Sequence, residues 1–521
     1  MRPVLASVLA ATLHGLDGRP VRVEADVAPG LPGFTIVGLA DAALREARER
    51  VRGALRNSGF VHPARRITVN LAPADVPKAG SALDLGIAIA ILVGSEQVTP
   101  RGSWALLGEL GLGGEVRPVP GVLPMVAALA RRGATRVVVP AGSLAEARLV
   151  AGIEIVGAAS LAEAADTLRG RRVGGHRPGL RAEMVPAELQ PAAADDHAGD
   201  LPDLADVRGL FEARRALEIA LAGAHGLVLI GPPGSGKTML ASTIPGVLPP
   251  LDDEEAREAT IIASVVGSEP VRGLVRRRPF RAPHHTASYA ALVGGGPSMA
   301  PGEVTRAHRG TLFLDELPEF DRSSLEALRQ PLEEGRVCVA RVGRAVVFPA
   351  RFQLVAAMNP CPCGWDEDPS GRCACPNGIP GRYRGRISGP LRDRIDLWVG
   401  VPRIAPRELL GAADPESSEV VRARVGACRA RQIHARATLN GRLRGRALRA
   451  AAALDARAEK RAIALADSAG MTARATERLV RVARTIADLA DADRVAVEHL
   501  EEAARYRPPA EGRTGVARGV A

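Results

Sequence analysis

The sequence predicts an α/β fold built on a parallel β-sheet, with a helical region towards its C-terminal end. Three short apolar runs, over residues 226–230, 311–314 and 352–356, have the composition of buried strands, and helical patterns separate them. Strands that alternate with helices form parallel sheets covered on both faces. After about residue 402 the pattern is almost entirely helical as far as residue 506.

Length and composition divide the chain into several regions. At 521 residues it is too long for one hydrophobic core. The N-terminal region mixes short alternating strands, such as 66–71, with helices, such as 83–92, so we predict a compact α/β domain there. A stretch rich in Gly, Pro, Ala and Asp follows, which indicates a linker. The predicted regions are the N-terminal domain 1–169, the linker 170–204, the sheet-bearing core 205–404, a helical lid 405–508 and a tail 509–521.

The N-terminus superficially resembles a short signal peptide, because an apolar stretch over 4–13 follows Arg2. It lacks a clear small-x-small cleavage site and continues into strand-like alternation over 21–27, so we predict a first strand instead. No uninterrupted apolar run is long enough to cross a bilayer. Four of the six cysteines crowd between 361 and 375, unlike the spread framework of a disulfide-rich secreted protein. We therefore predict a cytoplasmic protein with no membrane partner.

A Gly-x4-Gly-Lys-Thr pattern follows the first apolar run. Glycines let backbone N–H groups converge on phosphate oxygens, and the helix that starts after them adds a favourable dipole. We expect Lys237 to reach the β- and γ-phosphates, and Thr238 to offer its hydroxyl to Mg²⁺. A chance Gly-rich loop is the alternative, but a strand before it and a helix after it favour ATP binding. The predicted ATP-binding loop is Gly231, Pro232, Pro233, Gly234, Ser235, Gly236, Lys237 and Thr238.

Polar residues suited to ATP hydrolysis follow the other two apolar runs. Asp315 and Glu316 end the second run, where Mg²⁺ and the attacking water would lie. We expect Asp315 to hold the metal shell with Thr238, and Glu316 to polarise the water. Asn359 follows the third run and is expected beside the γ-phosphate as a polar sensor. The alternatives are a helix cap for the Asp-Glu pair and a turn residue for Asn359.

The order of these motifs resembles that of AAA+ ATPases, and the chain as a whole is similar to the YifB/ComM family of magnesium-chelatase-like ATPases. The resemblance covers nearly all of residues 3–508 and implies a P-loop AAA+ core with ATP and Mg²⁺ as cofactors. The further motifs that carry it are Arg-Pro-Phe-Arg-Ala-Pro-His-His-Thr at 278–286, Pro-Gly-Glu-Val at 301–304, Asn-Pro-Cys-Pro-Cys-Gly at 359–364 and Ser-Gly-Pro-Leu-Arg-Asp-Arg-Ile-Asp at 388–396.

The resemblance also assigns roles to arginines. It implies that Arg394 is an arginine finger, which reaches into the neighbouring subunit's site and stabilises developing phosphate charge. Arg474 matches the sensor arginine of the lid. Arg392 stands where the family more often has an apolar residue, which leaves a choice about the arginine that enters the site, and we favour Arg394. An arginine that acts between subunits implies a ring, expected to be a homo-hexamer, whereas an ordinary surface ion pair is the alternative.

Four cysteines of the core form a compact pattern, in which nine residues separate Cys361-x-Cys363 from Cys373-x-Cys375. Four soft thiolates suit a closed tetrahedral Zn²⁺ site, although one intervening residue is tighter than the usual two to four. A set of free thiols is the alternative. Because the loop has little apolar content of its own, we hypothesise that a structural Zn²⁺ orders it.

The N-terminal domain resembles the proteolytic domain of Lon proteases, which implies a ribosomal S5 domain 2-like fold. The segments that carry the resemblance are 77–81 and 108–116. Those proteases use a serine activated by a lysine, but the motifs put Ala82 at the nucleophile position, with Ser81 one residue early, and Leu123 where the lysine would stand. Leucine cannot activate serine, so we predict a retained fold without peptidase activity. Lys78 is the nearby amine that could replace the lysine.

Three functions compete, because the same ATP site powers translocases, protein remodellers and unfoldases. The ComM branch of the family implies a hexameric helicase that drives branch migration of transforming DNA, so single-stranded or branched DNA is the expected partner. A chelatase-type remodeller, which helps to insert Mg²⁺ into a porphyrin, is the second. Dedicated chelatase motors lack the N-terminal domain, so we expect no porphyrin. Ala82 and Leu123 disfavour the third, an ATP-dependent protease.

Charge and one predicted hairpin favour DNA. The formal charge of +11 attracts polyanions without choosing among them. The charged side chains between 421 and 450 are all Arg, which indicates either a solvated helix face or a phosphate-binding surface. Arg341, Arg344 and Arg351 precede the third apolar run and suggest a hairpin, which projects into the ring's pore in related motors. An edge that arginine protects from sheet pairing is the alternative.

Two adjacent histidines, His284 and His285, invite a metal-binding interpretation. Neighbouring residues on a strand point to opposite faces, so we predict packing or hydrogen bonding for them. They receive no catalytic role.

Overall fold

The computed structural model describes residues 5–38, 42–74, 78, 80–171, 201–296, 299–341, 344–366, 368–369, 371–404 and 415–507. Most of the predicted linker and the whole predicted tail lie outside the described residues. The described chain forms two compact units. The first contains residues 5–171 together with the segment 253–275, and the second contains residues 201–252 and 276–507.

The first unit is built on a mixed β-sheet. Its strands are β1 (Leu5–His14), β2 (Asp17–Ala28), β3 (Gly33–Val37), β4 (Arg66–Ala72), β5 (Ala105–Leu106), β6 (Glu109–Leu110), β7 (Val116–Arg117), β8 (Arg136–Pro140) and β9 (Glu154–Ala158). Seven of them form one sheet in the order β3-β4-β2-β1-β5-β8-β9. β2 pairs antiparallel with both β1 and β4, whereas the other pairs of this sheet are parallel. The predicted first strand is confirmed as β1.

Helices of the first unit pack on this sheet. They are Ala42–Asn57, Asp84–Gly94, Val122–Arg131, Leu144–Ala147, Leu161–Leu168 and Asp253–Val266. Asp84–Gly94 lies on β1 and β2, and all of its residues except Val93 are buried. A helix that is apolar on every side is expected in such a position.

The helix Asp253–Val266 belongs to the first unit, although the chain before and after segment 253–275 belongs to the second. It packs against Val122–Arg131. The N–H of Gly121 donates to the carbonyl of Ser264 at 2.8 Å, and the Ser264 hydroxyl is hydrogen-bonded to the carboxylate of Glu146. Burial raises the pKa of Glu146. A buried, hydrogen-bonded carboxyl group therefore anchors this segment.

The second unit contains a fully parallel five-stranded sheet. The strands of the whole unit are β10 (Leu227–Ile230), β11 (Phe280–Arg281), β12 (Gly294–Gly295), β13 (Ala300–Pro301), β14 (Thr311–Leu314), β15 (Arg336–Arg341), β16 (Arg344–Pro349), β17 (Gln353–Met358) and β18 (Leu397–Gly400). The parallel sheet has the order β11-β14-β17-β10-β18. The three predicted strands are β10, β14 and β17, and the predicted hairpin is the antiparallel pair β15–β16. The predicted α/β fold class is confirmed.

Helices surround this sheet and continue into the helical C-terminal region. Those of the core are Phe211–Gly223, Lys237–Ser242, Ile244–Val247, Tyr289–Val293, Glu303–Arg306, Arg322–Ala327, Arg329–Glu334, Ile379–Arg384 and Gly389–Arg392. Those of the lid region are Ser418–Arg436, Gly445–Ala452, Ala456–Ser468, Ala473–Leu489 and Val497–Arg505. Within the described residues, none of the helices combines the length and the apolar character needed to span a membrane.

Candidate active site

Three neighbouring strands of the parallel sheet end side by side at the candidate site. β10 is adjacent to β17, and β17 is adjacent to β14. In the paired register Ile230 lies opposite Met358, and Leu314 lies opposite Ala356. The residues that follow these strands therefore meet at the carboxyl edge of the sheet, where open α/β sheets bind ligands.

The loop after β10 adopts a conformation that requires its glycines. A side chain at Gly231 would lie 2.1 Å from the carbonyl oxygen of Val401. Gly234 and Gly236 have φ angles of +73° and +88°, in the left-handed region that glycine occupies without strain. The helix Lys237–Ser242 begins directly after the loop. Backbone N–H groups are thus free to converge on an anion in front of it.

Lys237 and Asn359 meet at the base of this loop. The Lys237 ammonium donates to the carbonyls of Gly231 and Pro232 at 2.7 and 2.9 Å, and to Oδ1 of Asn359 at 3.3 Å. Burial lowers the pKa of Lys237 by more than the carboxylates of Asp315 and Glu316 raise it, so the net shift is downward. The hydroxyl of Ser235 is buried and has no hydrogen-bond partner among the described residues. The Lys237 ammonium thus donates to neutral acceptors that phosphate oxygens can replace, and the Ser235 hydroxyl is a donor available to a ligand. Both features fit a bound triphosphate.

Thr238 and Asp315 form the predicted pair of oxygen ligands. The Thr238 hydroxyl donates to Oδ2 of Asp315 at 2.7 Å, and Oδ1 of Asp315 accepts from the N–H of Glu316 at 2.9 Å. Mg²⁺ prefers hydroxyl, carboxylate and phosphate oxygens. The contact between these two side chains therefore fits a Mg²⁺ ion shared with the nucleotide.

Glu316 is exposed beside this pair and contacts a histidine that sequence analysis did not assign to the site. Its backbone φ of +53° is uncommon for a non-glycine residue, and such strain is frequent at functional sites. Nδ1 of His285 lies 3.1 Å from its carboxylate. The expectation that His284 and His285 lie on a strand and point apart is wrong. They lie in a loop after β11, with ring centroids 4.1 Å apart.

The contact between His285 and Glu316 follows from the order of the strands. β11 pairs with β14, so residues that follow these two strands share one edge of the sheet. The order of strands cannot be derived from the sequence motifs alone. The predicted hydrogen bonding of the pair is observed, since Nδ1 of His284 lies 2.9 Å from the hydroxyl of Thr286.

Arg394 and Arg474 share a different neighbour, Glu333. Arg394 donates to the Glu333 carboxylate and to the carbonyl of Pro390, both at 2.6 Å. The hydrogen bond from Arg394 lowers the pKa of Glu333, and the charges of Arg474 and Arg329 lower it further. Within the chain Arg394 is therefore bound by an acidic side chain.

Four thiols cluster in the segment 361–375, called the Cys loop below. Sγ of Cys361 lies 3.3 Å from that of Cys363 and 3.9 Å from that of Cys373, and the last two are 3.7 Å apart. With Cys375, all four Sγ atoms lie within 4.8 Å of one another. A tetrahedral zinc with Zn–S bonds of about 2.3 Å separates its sulfurs by about 3.8 Å. The cluster therefore fits a closed Zn²⁺ site.

The Cys loop packs directly against the ATP-binding loop. Gly364 has a φ of +84°, and a Cβ placed on it would lie 2.5 Å from Cδ of Pro233. On its other side, Arg384 donates to Asp366 at 2.8 Å and to the carbonyl of Pro360 at 3.2 Å. The Cys loop is thus held between the phosphate-binding loop and the helix that carries Arg384.

Most arginines between residues 421 and 450 contact acidic side chains or backbone carbonyls, although several of them, including Arg422, Arg424 and Arg444, are exposed. Arginine donors that are bound to carboxylates or carbonyls are partly neutralised locally. Those in contact with acidic side chains or backbone carbonyls are Arg422, Arg424, Arg429, Arg431, Arg436 and Arg444.

The protease-like positions of the first unit carry no Ser-Lys pair. Ala82 and Leu123 are buried. The Ser81 hydroxyl donates to the carboxylate of Glu109, and the Lys78 ammonium donates to the carbonyl of Pro73. The Ser81 hydroxyl is therefore hydrogen-bonded to a carboxylate, which cannot activate it as the lysine does in a Ser-Lys dyad.

Comparison with known proteins decides the family. The chain is 43% identical over 511 residues to the uncharacterized protein YifB of Salmonella typhimurium, which covers 96% of this chain and 97% of the relative. It is 41% identical over 509 residues to the competence protein ComM of Haemophilus influenzae, with 96% and 97% covered. The chain belongs to the YifB/ComM family. The YifB protein of Escherichia coli is 43% identical over 497 residues, 95% of each chain.

Family models place the YifB/ComM chain among magnesium-chelatase-like proteins. Residues 203–409 match the model described as magnesium chelatase, subunit ChlI, and residues 415–507 match the model of its C-terminal part. Residues 23–143 match a further model, subunit ChlI of Mg-chelatase. This family has the AAA+ fold, so membership implies ATPase activity with ATP and Mg²⁺ as cofactors.

The contact between the two loops generates a prediction. Gly364→Ala is expected to raise the dissociation constant of a fluorescent ATP analogue roughly tenfold, because the added methyl displaces Pro233 and with it the phosphate-binding backbone. Gly371→Ala is the matched control, since Gly371 also has a positive φ, +65°, but no atom lies within 4 Å of its Cβ position. Equal effects of the two variants on binding would show that the contact does not shape the ATP site.

Proposed function

We propose that this chain is the subunit of an ATP-driven ring motor that translocates on DNA, as a branch-migration helicase in recombination or transformation. The observation that supports the motor is the cluster of Lys237, Asn359, Thr238 and Asp315 at the ends of three parallel strands. Full-length similarity to a relative named competence protein supports a task in DNA uptake. Because ATP is found inside cells, the proposed compartment is the cytoplasm.

The proposed catalytic roles follow from the positions of the side chains. Lys237 neutralises the β- and γ-phosphates, while Thr238 and Asp315 hold Mg²⁺. Glu316 polarises the attacking water. Asn359 senses the γ-phosphate through its contact with the lysine ammonium.

The proposed motor completes its site with arginines. Arg394 of one subunit enters the site of the next, where a phosphate group takes the place of Glu333 as its partner. Arg474 acts as the sensor of the lid. A finger that acts between subunits requires a heterologous interface that closes into a ring, which we propose to be a homo-hexamer.

The β15–β16 hairpin is the proposed DNA contact. Val337, Val339, Val346 and Phe348 are buried on one face of the hairpin, which fixes it to the unit. Arg341 is exposed at the end of β15, where it donates to the carbonyl of Gly296 at 3.5 Å. A cation on a projecting hairpin suits contacts with backbone phosphates.

The remaining regions complete the proposal. Residues 1–169 form a Lon-like domain without peptidase activity, joined by the linker 170–204 to the AAA+ core 205–404, and a lid over 405–508 and a tail over 509–521 follow. The Cys loop holds a structural Zn²⁺ that orders it beside the ATP-binding loop.

A chelatase-type protein remodeller without a DNA substrate is the second candidate. The observation that favours it is the match of three chelatase family models along the chain. The same ATP site would then drive rearrangement of a partner protein. No porphyrin is proposed as a ligand for this chain.

The DNA proposal predicts that single-stranded or branched DNA stimulates the ATPase. Stimulation should fall steeply between about 50 and 200 mM salt, because phosphate contacts release counterions, and it should vanish in Lys237→Ala. Arg341→Glu should weaken DNA binding and reduce the salt slope by about 1. Arg461→Glu is the control, since Arg461 is an exposed lid arginine paired with Glu501. If DNA neither binds nor stimulates at low salt, the remodeller is the better account.

The zinc proposal predicts about one zinc per subunit in freshly purified protein. Cys361→Ser should lose the metal, because it removes the buried member of the cluster. Cys338→Ser should retain it, since Cys338 is exposed on β15 and lies outside the cluster. Elemental analysis that finds no zinc, together with free titration of all four thiols, would refute the metal site.

A further inference from the structure

The helix Ala473–Leu489 is hydrogen-bonded to the segment that carries Arg394. Arg478 of this helix donates to the backbone carbonyls of Arg392 and Ile395, each at 3.0 Å, and its guanidinium lies 3.6 Å from the carboxylate of Asp393. The residue is 9% exposed. A planar guanidinium that holds two carbonyls fixes both the distance and the orientation of the chain it binds.

A second contact lies further along the same helix, and it is buried. Arg481 donates to Oδ1 of Asp396 at 3.0 Å, and Oδ2 of Asp396 is 2.9 Å from Nδ1 of His225. Nε2 of His225 is 2.7 Å from the hydroxyl of Thr485, on the next turn of the helix. Burial alone would raise the pKa of Asp396, but the hydrogen bond from His225 and the charge of Arg481 lower it. The carboxylate is therefore held ionised, as a fixed link.

Helical spacing connects these contacts with the proposed sensor. Arg474, Arg478, Arg481 and Thr485 follow one another at intervals of four, three and four residues, and residues at such intervals lie on one face of a helix. One rigid element thus carries Arg474, whose charge acts on the same Glu333 carboxylate that Arg394 binds, and the anchors of the segment 388–396. Arg394 lies in that segment, between the two residues, 392 and 395, whose backbone carbonyls accept hydrogen bonds from Arg478.

We propose that Arg478 is a positioning residue for the arginine finger: it fixes the segment 388–396 to the lid helix and so holds Arg394 in place for the site of the next subunit. This inference rests on the proposed ring motor. Arg478 touches neither nucleotide nor phosphate in this account, and acts through the backbone that carries Arg394. The Arg394 side chain is released from Glu333 while its backbone stays fixed.

Buried arginines elsewhere in the lid show what a purely structural role looks like. Arg484 binds Asp488 and the carbonyls of Ala492 and Asp493, all within the lid itself. Arg429 donates to the carbonyl of Leu221 at 2.8 Å and is as buried as Arg478. Neither contacts the segment 388–396 through these bonds, so Arg429 provides a matched control.

Arg478→Gln should lower kcat of the assembled ring about 10²-fold, the loss that a misplacement of about 1 Å can cause. The dissociation constant for ATP should stay unchanged, because the ATP-binding loop of the same subunit is intact. Arg478→Lys, which can still donate to one or both carbonyls, should recover part of the loss. Arg429→Gln should keep kcat near the parent value even where the melting temperature falls as much as in Arg478→Gln. An Arg478→Gln ring with full kcat, or a loss that Arg429→Gln reproduces, would overturn the inference.

Mixed rings separate a defect in the finger from a defect in the subunit's own site. Arg478→Gln subunits retain a complete ATP site, and Glu316→Gln subunits retain a correctly held finger, so mixing the two inactive proteins should restore hydrolysis. No gain on mixing would mean that Arg478 supports its own site and would overturn the inference. The mixture of Arg394→Ala with Glu316→Gln tests the motor separately. If that mixture regains activity while the Arg478→Gln mixture does not, only the positioning role fails; if Arg394→Ala alone is fully active, the proposed finger fails.

Discussion

The hydrogen-bond register of β14, β17 and β10 is the constraint on which the site depends. β10 and β17 end at paired residues, and β14 ends two residues earlier in the same register. A lysine after one strand, an asparagine after the second and a carboxylate after the third are therefore brought close together. The glycines of the loop then allow the backbone to approach the anion. The Cys loop packs against this edge through Gly364 and Pro233.

Sequence patterns predicted the parts of the site that are local in the chain. The ATP-binding loop, the strands before Asp315 and Asn359, the hairpin and the thiol cluster each have a signal within about fifteen residues. Contacts between distant segments had none. The His285–Glu316 pair depends on the order of β11 and β14, the Gly364–Pro233 contact on how two loops fold back, and the helix Asp253–Val266 on which unit buries it.

The net charge is a further property whose role could not be predicted from the sequence alone. A net charge of +11 and a run of arginines indicated affinity for polyanions, yet folding uses many of these cations internally. Burying an arginine demands partners for its donors, and carboxylates and carbonyls of the second unit supply them. A basic sequence therefore identifies a nucleic-acid surface only after the cations with internal partners are removed from the count.

Arg394 is bound to Glu333 within the chain. The proposal that it acts in the site of a neighbouring subunit therefore implies that hydrolysis needs that neighbour. The most direct measurement is ATPase activity per subunit over a dilution series, with the assembly state followed by light scattering on the same samples. The account predicts that activity per subunit collapses as the ring dissociates, while nucleotide still binds to the separated subunits. Hydrolysis by isolated subunits at the rate of the assembled ring would contradict it.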